Sequence, residues 1–173
     1  MESIVRRGTP TDRDGIWSLM RMLHTENGAF NISEGKVNWI LDRVLHPDRI
    51  PEGDMGLRGY IGVIGPSNAL EGLVLMVIAN HWYTEDFHLE ELANFVHPNH
   101  RRGKNHARTL LSYSKHISDK VGIPLLMGVI SNDRTEAKVR LYRKQLPEVG
   151  AYFLYGARTG RVGAEQAVKM GST

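Results

Sequence analysis

The sequence predicts an α/β protein of the α+β type, with a mixed, mostly antiparallel central sheet and helices on both of its faces. Two observations support this fold class. Apolar residues recur at helical spacing near both ends of the chain, whereas residues 57–96 are rich in β-branched, aromatic and leucine residues. The predicted order of elements is β-α-α-β-β-β-α-β-α-β, in which an antiparallel meander precedes a β-α-β unit. The length of 173 residues indicates one domain.

The first predicted elements are a short strand at residues 4–6 and a helix at 12–26. The apolar side chains of this helix follow the i, i+3, i+4, i+7 spacing of one buried face: Ile16, Leu19, Met20 and Leu23. Ser33 is a candidate N-cap for a second helix, whose apolar stripe consists of Val37, Ile40, Leu41, Val44 and Leu45. Pro47 ends the second helix, because proline does not continue a helix.

The middle of the chain predicts strands at residues 57–64, 70–82 and 87–96. Gly65 and Pro66 begin a turn between the first two strands. The three strands therefore form the antiparallel meander.

The last part of the chain predicts a helix at residues 105–121, which ends at Gly122, and a buried strand at 125–130, where the apolar run is continuous. A helix at 135–146 and a strand at 149–155 follow. We expect a single domain over residues 1–156. We also expect a loosely ordered tail over residues 157–173, because this segment contains few apolar residues.

The composition excludes several classes of function. The chain has no cysteine, which excludes a disulfide framework, a cysteine nucleophile and thiolate metal sites. It has 22 Lys and Arg against 19 Asp and Glu, and this net charge of +3 is too small to indicate nucleic-acid binding by itself. No apolar segment approaches the roughly 20 residues of a membrane-spanning helix, and the N-terminus has no signal-peptide pattern. We therefore expect a cytoplasmic protein without a membrane partner.

The segment most informative about function lies between the predicted strand 87–96 and the predicted helix 105–121. Arg101, Arg102 and Lys104 place three basic side chains beside the start of that helix, where the first N–H groups lack partners and carry partial positive charge. A glycine at position 103 lets the backbone approach a bound group closely. The segment therefore predicts a phosphate or pyrophosphate site. A solvated turn and a contact with nucleic-acid phosphate are the alternatives.

This segment resembles the cofactor-binding motif of the GNAT superfamily of CoA-dependent N-acyltransferases, Q/R-x-x-G-x-G/A between a strand and a helix. Arg102 and Ala107 match the first and last positions of the motif, and Asn105 stands in place of the central glycine. The order of elements resembles the superfamily over residues 3–155. Residues 5–12 and 141–144 add to the resemblance.

The resemblance implies an N-acetyltransferase that uses acetyl-CoA as its co-substrate and acylates a primary amine, of a small molecule or a peptide, in a ternary complex. It implies that the pantetheine arm enters between two splayed strands, which end at Val96 and Ile130 in this sequence. A backbone N–H near Phe95 or Val96 would stabilise the oxyanion of the tetrahedral intermediate. The implied cofactor-binding residues are Phe95, Val96, Arg102, Gly103, Lys104, Asn105, Ala107 and Asn132.

The resemblance also implies two catalytic side chains. Glu91 is the implied general base, which the reaction needs because an ammonium has no lone pair to attack a thioester. Its neighbour Glu90 points to the opposite face of the strand and is the alternative base, and a third alternative is that neither acts. Tyr142 is the implied acid that protonates the leaving thiolate. The alternative is a half-buried aromatic residue between helix and sheet.

In the resembling family, the acceptor groove is built where the first helix ends and at the turn after residue 80. The implied acceptor residues are His24, Glu26, Trp82 and Tyr83. The histidines do not have a metal-ligand spacing, so we expect no metal, and a homodimer stays open. Two other classes also stay open: a non-catalytic acyl-CoA-binding or interaction protein, and a nucleic-acid-binding or nucleic-acid-modifying protein. No basic stripe interleaved with aromatic residues extends the loop, which disfavours nucleic acid.

Overall fold

The computed structural model describes residues 4–130 and 135–153, without the side chain of Thr135. Asn132, the end of the predicted strand 149–155 and the predicted tail 157–173 lie outside the described residues. The strands are β1 (Arg6–Arg7), β2 (Gly59–Ile64), β3 (Gly72–Asn80), β4 (Phe87–Val96) and β5 (Leu125–Leu126). The helices are α1 (Arg13–Asn27), α2 (Glu34–Leu45), α3 (His106–Val121) and α4 (Thr135–Arg143). None of the described helices is long and apolar enough to cross a membrane.

The five strands form one sheet in the order β1-β2-β3-β4-β5. The first four strands pair antiparallel with their neighbours, and β5 pairs with β4 in parallel. This confirms the predicted fold class, a mixed and mostly antiparallel sheet. The predicted bounds of β4 are confirmed at both ends, and α3 ends as predicted at Gly122, whose φ of +76° is in the left-handed region that favours glycine.

The described residues divide into two compact units. The first unit contains the described residues up to Met20 together with Glu34–Met127, and it includes the whole sheet, α2 and α3. The second contains Arg21–Ser33 and the described residues from Gly128 onward, including α4. The expectation of a single domain over residues 1–156 stays a prediction.

In the first unit, α2 and α3 pack on opposite faces of the sheet. Gly59 and Gly62 are three residues apart on β2, so their Cα–H groups face opposite sides. Val44 of α2 lies against Gly59, whereas Tyr113 of α3 lies against Gly62. The predicted placement of helices on both faces is therefore confirmed within this unit.

An apolar core between α3 and the sheet holds α3 in place. Its buried apolar residues are Ile64, Val74, Met76, Ile78, Leu89, Leu110 and Ile117. Alternate residues of β3 supply three of them, and α3 supplies Leu110 and Ile117, which are two helical turns apart. Each such side chain contributes about 1.5–3 kcal/mol on burial. The cluster therefore fixes α3, and with it the N-terminus of α3, on the sheet.

A buried ion pair fixes the start of α1 to the sheet. The Asp12 carboxylate is fully buried and accepts hydrogen bonds from the Arg6 guanidinium at 2.6 and 2.8 Å and from the N–H of Thr9 at 2.8 Å. Arg6 also donates to the carbonyl oxygen of Gly65, in the turn between β2 and β3, at 3.0 Å. The hydrogen bonds from Arg6 are the main reason that the pKa of Asp12 lies well below its ordinary value. The pair thus joins β1, the start of α1 and the β2–β3 turn.

Two strand predictions are wrong in extent. The predicted buried strand 125–130 is two residues long, because only Leu125 and Leu126 pair with β4, and Ile130 is exposed. The predicted strand 149–155 is not a strand over its described residues, 149–153. Val149 and Phe153 are exposed there, and no described strand pairs with this segment, so its apolar residues do not form part of the described sheet. The predicted helix 135–146 ends earlier, as α4.

Candidate functional site

The predicted anion site lies between the end of β4 and the start of α3. A 3-10 turn, Pro98–His100, follows β4, and the His97 side chain caps it by accepting a hydrogen bond from the N–H of Asn99 at 3.2 Å. The loop 101–105 then leads into α3. The predicted strand–loop–helix arrangement is therefore confirmed, and the basic loop lies directly before the first N–H groups of α3.

Gly103, and not Asn105, is the loop residue whose backbone favours glycine. Gly103 has a φ of +71°, in the left-handed region, although a Cβ there would meet no atom within 4 Å. Asn105 has φ −91° and ψ 21°, on the negative-φ side where L-residues are accommodated. The carbonyl oxygen of Asn105 accepts hydrogen bonds from the N–H and the hydroxyl of Thr109 at 2.9 and 3.0 Å. Asn105 in place of the motif glycine therefore does not strain the backbone.

The three basic side chains of the loop have different surroundings. The Nε–H of Arg101 donates to the carbonyl oxygen of Val96 at 2.8 Å, and its guanidinium lies 4.9 Å from the ring centroid of Phe95. Arg101 therefore ties the loop to the end of β4, where Phe95 is buried and Val96 is half-buried. Arg102 is exposed. Lys104 is held by a carboxylate from another part of the sheet.

That carboxylate belongs to Glu71, the residue directly before β3. Its Oε2 accepts hydrogen bonds from the Nζ of Lys104 at 2.8 Å and from the Nε2 of His106 at 2.5 Å. The Nδ1 of His100 lies 3.2 Å from the same oxygen and 3.1 Å from the Nζ of Lys104. The hydrogen bonds from Lys104 and then His106 lower the pKa of Glu71 to about 2. We call these four residues the Glu71 cluster.

No pattern in the sequence predicts the Glu71 cluster. Glu71 is 33 residues from Lys104 and 35 from His106 along the chain, and it belongs to no motif. The one available signal was His106, a polar side chain in the first turn of a helix whose neighbours carry the motif. Only the pairing of β3 with β4 brings Glu71 beside the loop.

Glu71, His100 and His106 are also the described residues that bring potential metal-ligand atoms together, within 4.8 Å of one another. The Nζ of Lys104 contacts two of these ligand atoms. The Nδ1 of His106 is buried without a partner, so the proton belongs on Nε2, which donates it to Glu71. A metal on Nε2 would move the proton to Nδ1 and leave a buried N–H without an acceptor. The contacts favour an ion-pair cluster, and the expectation of no metal stays a prediction.

Glu91 and Glu90, the two candidate bases, lie on opposite faces of β4. Glu91 pairs with Met76, which belongs to the core beneath α3, whereas Glu90 pairs with Val77. Both carboxylates are half-buried. The register shifts directly after Glu91, where Leu92 is the extra residue of a β-bulge.

The edge of β4 that faces β5 is paired over a short length. Leu89 and Glu90 pair with Leu125 and Leu126, and no other residue of β4 pairs with a described strand on that side. β4 itself continues to Val96. The two strands therefore run side by side only at the start of β4, and β5 ends at Leu126, four residues before the predicted end at Ile130. The splay itself stays a prediction.

Trp82 and Tyr83, two predicted acceptor residues, lie together in the turn between β3 and β4. The ring of Tyr83 stacks on that of His81 with centroids 5.6 Å apart, and His81 stacks on His88 at 4.8 Å. Trp82 meets Tyr83 edge to face at 5.5 Å. The side chains of Trp82 and Tyr83 are 95% and 69% exposed. The turn therefore presents aromatic rings held by stacking.

The other predicted acceptor residues, His24 and Glu26, and the predicted acid Tyr142 belong to the second unit. The Nε2 of His24 lies 2.7 Å from the carbonyl oxygen of Phe30, so it donates a hydrogen bond across the end of α1. Glu26 is half-buried on the last turn of α1. Tyr142 lies on α4 and is 7% exposed.

No protein-family model matches the chain, and no curated protein matches its sequence. Its structure is nevertheless similar to solved structures of acetyltransferases over most of each chain. One is an aminoglycoside acetyltransferase from an uncultured soil metagenomic sample, with a TM-score of 0.60 and 16% identity over 89% of this chain and 95% of that chain. Another is a ribosomal-protein-alanine N-acetyltransferase from Brucella melitensis biovar Abortus 2308, with a TM-score of 0.62 and 14% identity over 92% and 100%.

A third similar structure is a GNAT family acetyltransferase from Staphylococcus aureus, with a TM-score of 0.53 and 14% identity over 90% of this chain and 99% of that chain. Identities this low show the fold and not the substrate. The chain has the GNAT fold, as the motif and the order of elements predict.

Proposed function

We propose that this chain, which has the GNAT fold, is a CoA-dependent N-acyltransferase that moves an acetyl group from acetyl-CoA to a primary amine. The observation that supports the proposal most is the basic loop at the N-terminus of α3, within a fold shared with acetyltransferases. In that position the unpartnered N–H groups of the first turn and the exposed Arg102 suit the pyrophosphate of CoA. Gly103 supplies the left-handed backbone that the loop needs.

The remaining proposed cofactor contacts come from the elements on either side of the loop. Asn105 and Ala107 contribute the backbone of the first turn of α3, and Phe95 and Val96 contribute the end of β4. The pantetheine arm extends along the part of β4 that β5 does not pair with. Asn132 is the further cofactor residue that the resemblance implies.

The proposed reaction is a direct transfer. The nitrogen of the neutral amine attacks the thioester carbon, a C–N bond forms, and a tetrahedral intermediate places negative charge on the carbonyl oxygen. Glu91 accepts the proton that the ammonium loses. The carbonyl then re-forms, the C–S bond breaks, and its electron pair leaves on the sulfur. Tyr142 donates a proton to the thiolate and is reprotonated from solvent, to which the amide nitrogen releases its remaining extra proton. The products are an amide and CoA, and holding both substrates together supplies part of the rate.

The acceptor is an amine of a small molecule or of a peptide. The similar structures include an enzyme for aminoglycosides and one for the alanine of a ribosomal protein, and both acceptors present amines. Trp82 and Tyr83 are the acceptor residues that we favour in the first unit, because both rings are exposed, Tyr83 stacks on His81 and Trp82 meets Tyr83 edge to face. His24 and Glu26 are the further candidates.

The experiment is a screen of amine acceptors with acetyl-CoA, in which release of free CoA is measured. The acceptors are an aminoglycoside, a polyamine, a lysine peptide and peptides with a free N-terminal alanine. We expect one class to be acetylated above the hydrolysis rate without acceptor. Binding of acetyl-CoA without turnover on any amine favours the non-catalytic alternative, and the absence of binding contradicts the proposal.

A further inference from the structure

We propose that Glu71 is a positioning residue that withholds the Lys104 ammonium from the anion site and thereby sets the affinity for the phosphates of the cofactor. The inference rests on the proposed function, since it concerns the same loop. In the Glu71 cluster, the carboxylate of Glu71 already occupies groups that would otherwise be available to a phosphate. A single carboxylate oxygen receives Lys104 and His106, and His100 approaches it within 3.2 Å.

Glu71 is the fixed member of this cluster. Its N–H donates to the carbonyl oxygen of Ile64 at 2.8 Å, and its carbonyl oxygen accepts from the N–H of His97 at 2.8 Å. These bonds attach the residue to β2 on one side and to the residue after β4 on the other. The sheet therefore holds the backbone of Glu71, and its side chain is 23% exposed.

Lys104 is the member that can exchange partners. Its side chain is 43% exposed and lies in the loop itself, on a flexible four-carbon stem. Ion pairs with this much exposure are weak, because water competes for both charges. A phosphate bound at the N-terminus of α3 competes with Glu71 for the same ammonium. The contact with Glu71 therefore lowers the fraction of molecules in which the Lys104 ammonium is available to the cofactor phosphates.

One substitution removes the ion pair of Glu71 with Lys104 and keeps its hydrogen bond with His106. His106 is 2% exposed, its Nδ1 is buried without a partner, and its Nε2–H needs an acceptor. In Glu71→Gln, the amide oxygen still accepts this hydrogen bond, but the neutral amide no longer holds the ammonium as an ion pair. Glu71→Ala would leave both nitrogens of a buried imidazole unpaired and is a poorer variant. Glu71→Gln thus keeps the support of α3 and releases Lys104.

The test is a thermodynamic cycle for CoA binding, measured by isothermal titration calorimetry on the full chain. The proteins are wild type, Glu71→Gln, Lys104→Met and the double variant. We expect Glu71→Gln to lower the Kd for CoA by about 1.5–5-fold, the range that corresponds to an exposed ion pair. The double variant should bind no tighter than Lys104→Met alone, because the gain requires the ammonium. Raising the salt concentration should reduce the gain.

The matched control is Glu52→Gln, which removes the same charge from an exposed side chain in the loop between α2 and β2. It should leave the Kd unchanged, which separates a local effect from a change in net charge. Weaker binding by Glu71→Gln, or a gain that persists without Lys104, overturns the inference and leaves the proposed function standing. Absence of CoA binding by wild type overturns the proposed function itself.

Discussion

Glu91 lies opposite Met76 in the pairing of β4 with β3, one residue before a β-bulge at Leu92. Directly opposed residues of an antiparallel pair share a face, so Glu91 lies on the face that α3 covers. Its neighbour Glu90 pairs with Val77 and lies on the other face. The two carboxylates therefore differ in surroundings although they are adjacent in sequence.

Glu91→Gln is expected to lower kcat by about 100-fold or more with little effect on the Kd for CoA, as is usual when a general base is removed. Glutamine keeps the size of the side chain but accepts no proton at neutral pH. Steady-state kinetics with an accepted amine and calorimetry with CoA provide the two readouts. The matched control is Glu90→Gln, which should stay close to wild type. A larger effect in the control moves the base to Glu90, and full activity in both variants excludes a carboxylate base on β4.

Arg102→Ala is expected to weaken CoA binding by about 1–3 kcal/mol, the value of a charge-assisted hydrogen bond to a phosphate. Its side chain is exposed at the N-terminus of α3. Arg49→Ala, which removes an exposed arginine from a different loop, is the control for net charge. Calorimetric titration compares the variants, and equal Kd values for Arg102→Ala and wild type would refute the assigned site.

The same loop contains two backbone variants with opposite expectations. Gly103→Ala places a Cβ on a residue with a φ of +71°, which costs about 1 kcal/mol or more and disturbs the loop, although the space around it is open. Asn105→Gly restores the motif residue at a φ of −91°, so CoA affinity should be kept or improved. The pair tests whether the left-handed residue of this loop is Gly103.

The buried ion pair of Asp12 predicts a loss of stability that depends on pH. Asp12→Asn removes the charge that holds Arg6, and we expect a loss of about 2–3 kcal/mol at pH 7, below the largest values for buried pairs because Arg6 is 37% exposed. The pKa of Asp12 is lowered in the folded state, so its contribution is present at neutral pH and is lost as the pH falls below about 4.

Chemical denaturation at pH 7 and at pH 3 measures this contribution. The gap between wild type and Asp12→Asn should narrow at the lower pH. Asp14→Asn is the control, because Asp14 is exposed in the first turn of α1. A gap of the same size at both pH values would show that the charge of Asp12 is not what stabilises the fold.

The accuracy of the sequence-based predictions depended on how local the determinants were. The strand pattern of β4 and the glycine after α3 are local features, and both ends of β4 and the end of α3 were predicted correctly. The apolar run at 125–130 predicts burial, but the length of β5 depends on its pairing with β4, which ends at Leu126. The β-bulge at Leu92 likewise arises from the register of two strands and has no signature in one of them.

In the candidate site, too, local features were predicted and contacts between distant residues were not. The basic loop was found because the motif lies within six residues, from Arg102 to Ala107. Glu71 was missed because its partners are 33 and 35 residues away, and only the sheet brings them together. A carboxylate beside a basic loop also contradicts the simple expectation that an anion site collects positive charge. Contacts of this kind require the tertiary structure.

The variant Tyr142→Phe tests whether Tyr142 is the acid that protonates the leaving thiolate. Collapse of the tetrahedral intermediate expels CoA as a thiolate, which is a tolerable leaving group because a free thiol has a pKa of about 8.5. Proton donation should therefore assist without being indispensable. Tyr142→Phe keeps the ring, which is 7% exposed on α4, and removes only the hydroxyl. We expect kcat to fall by about 10–100-fold, a loss of roughly 1.4–2.7 kcal/mol of transition-state stabilisation, with little change in Tm.

The competing explanation for Tyr142 is structural and predicts the reverse. A hydroxyl that serves only in packing or in a buried hydrogen bond gives a near-normal kcat and a lower Tm when it is removed. Tyr152→Phe is the control, because Tyr152 is 65% exposed and lies in the same unit. Measuring kcat and Tm on both variants decides the question, since the acid role lowers kcat for Tyr142→Phe alone while both Tm values stay near wild type.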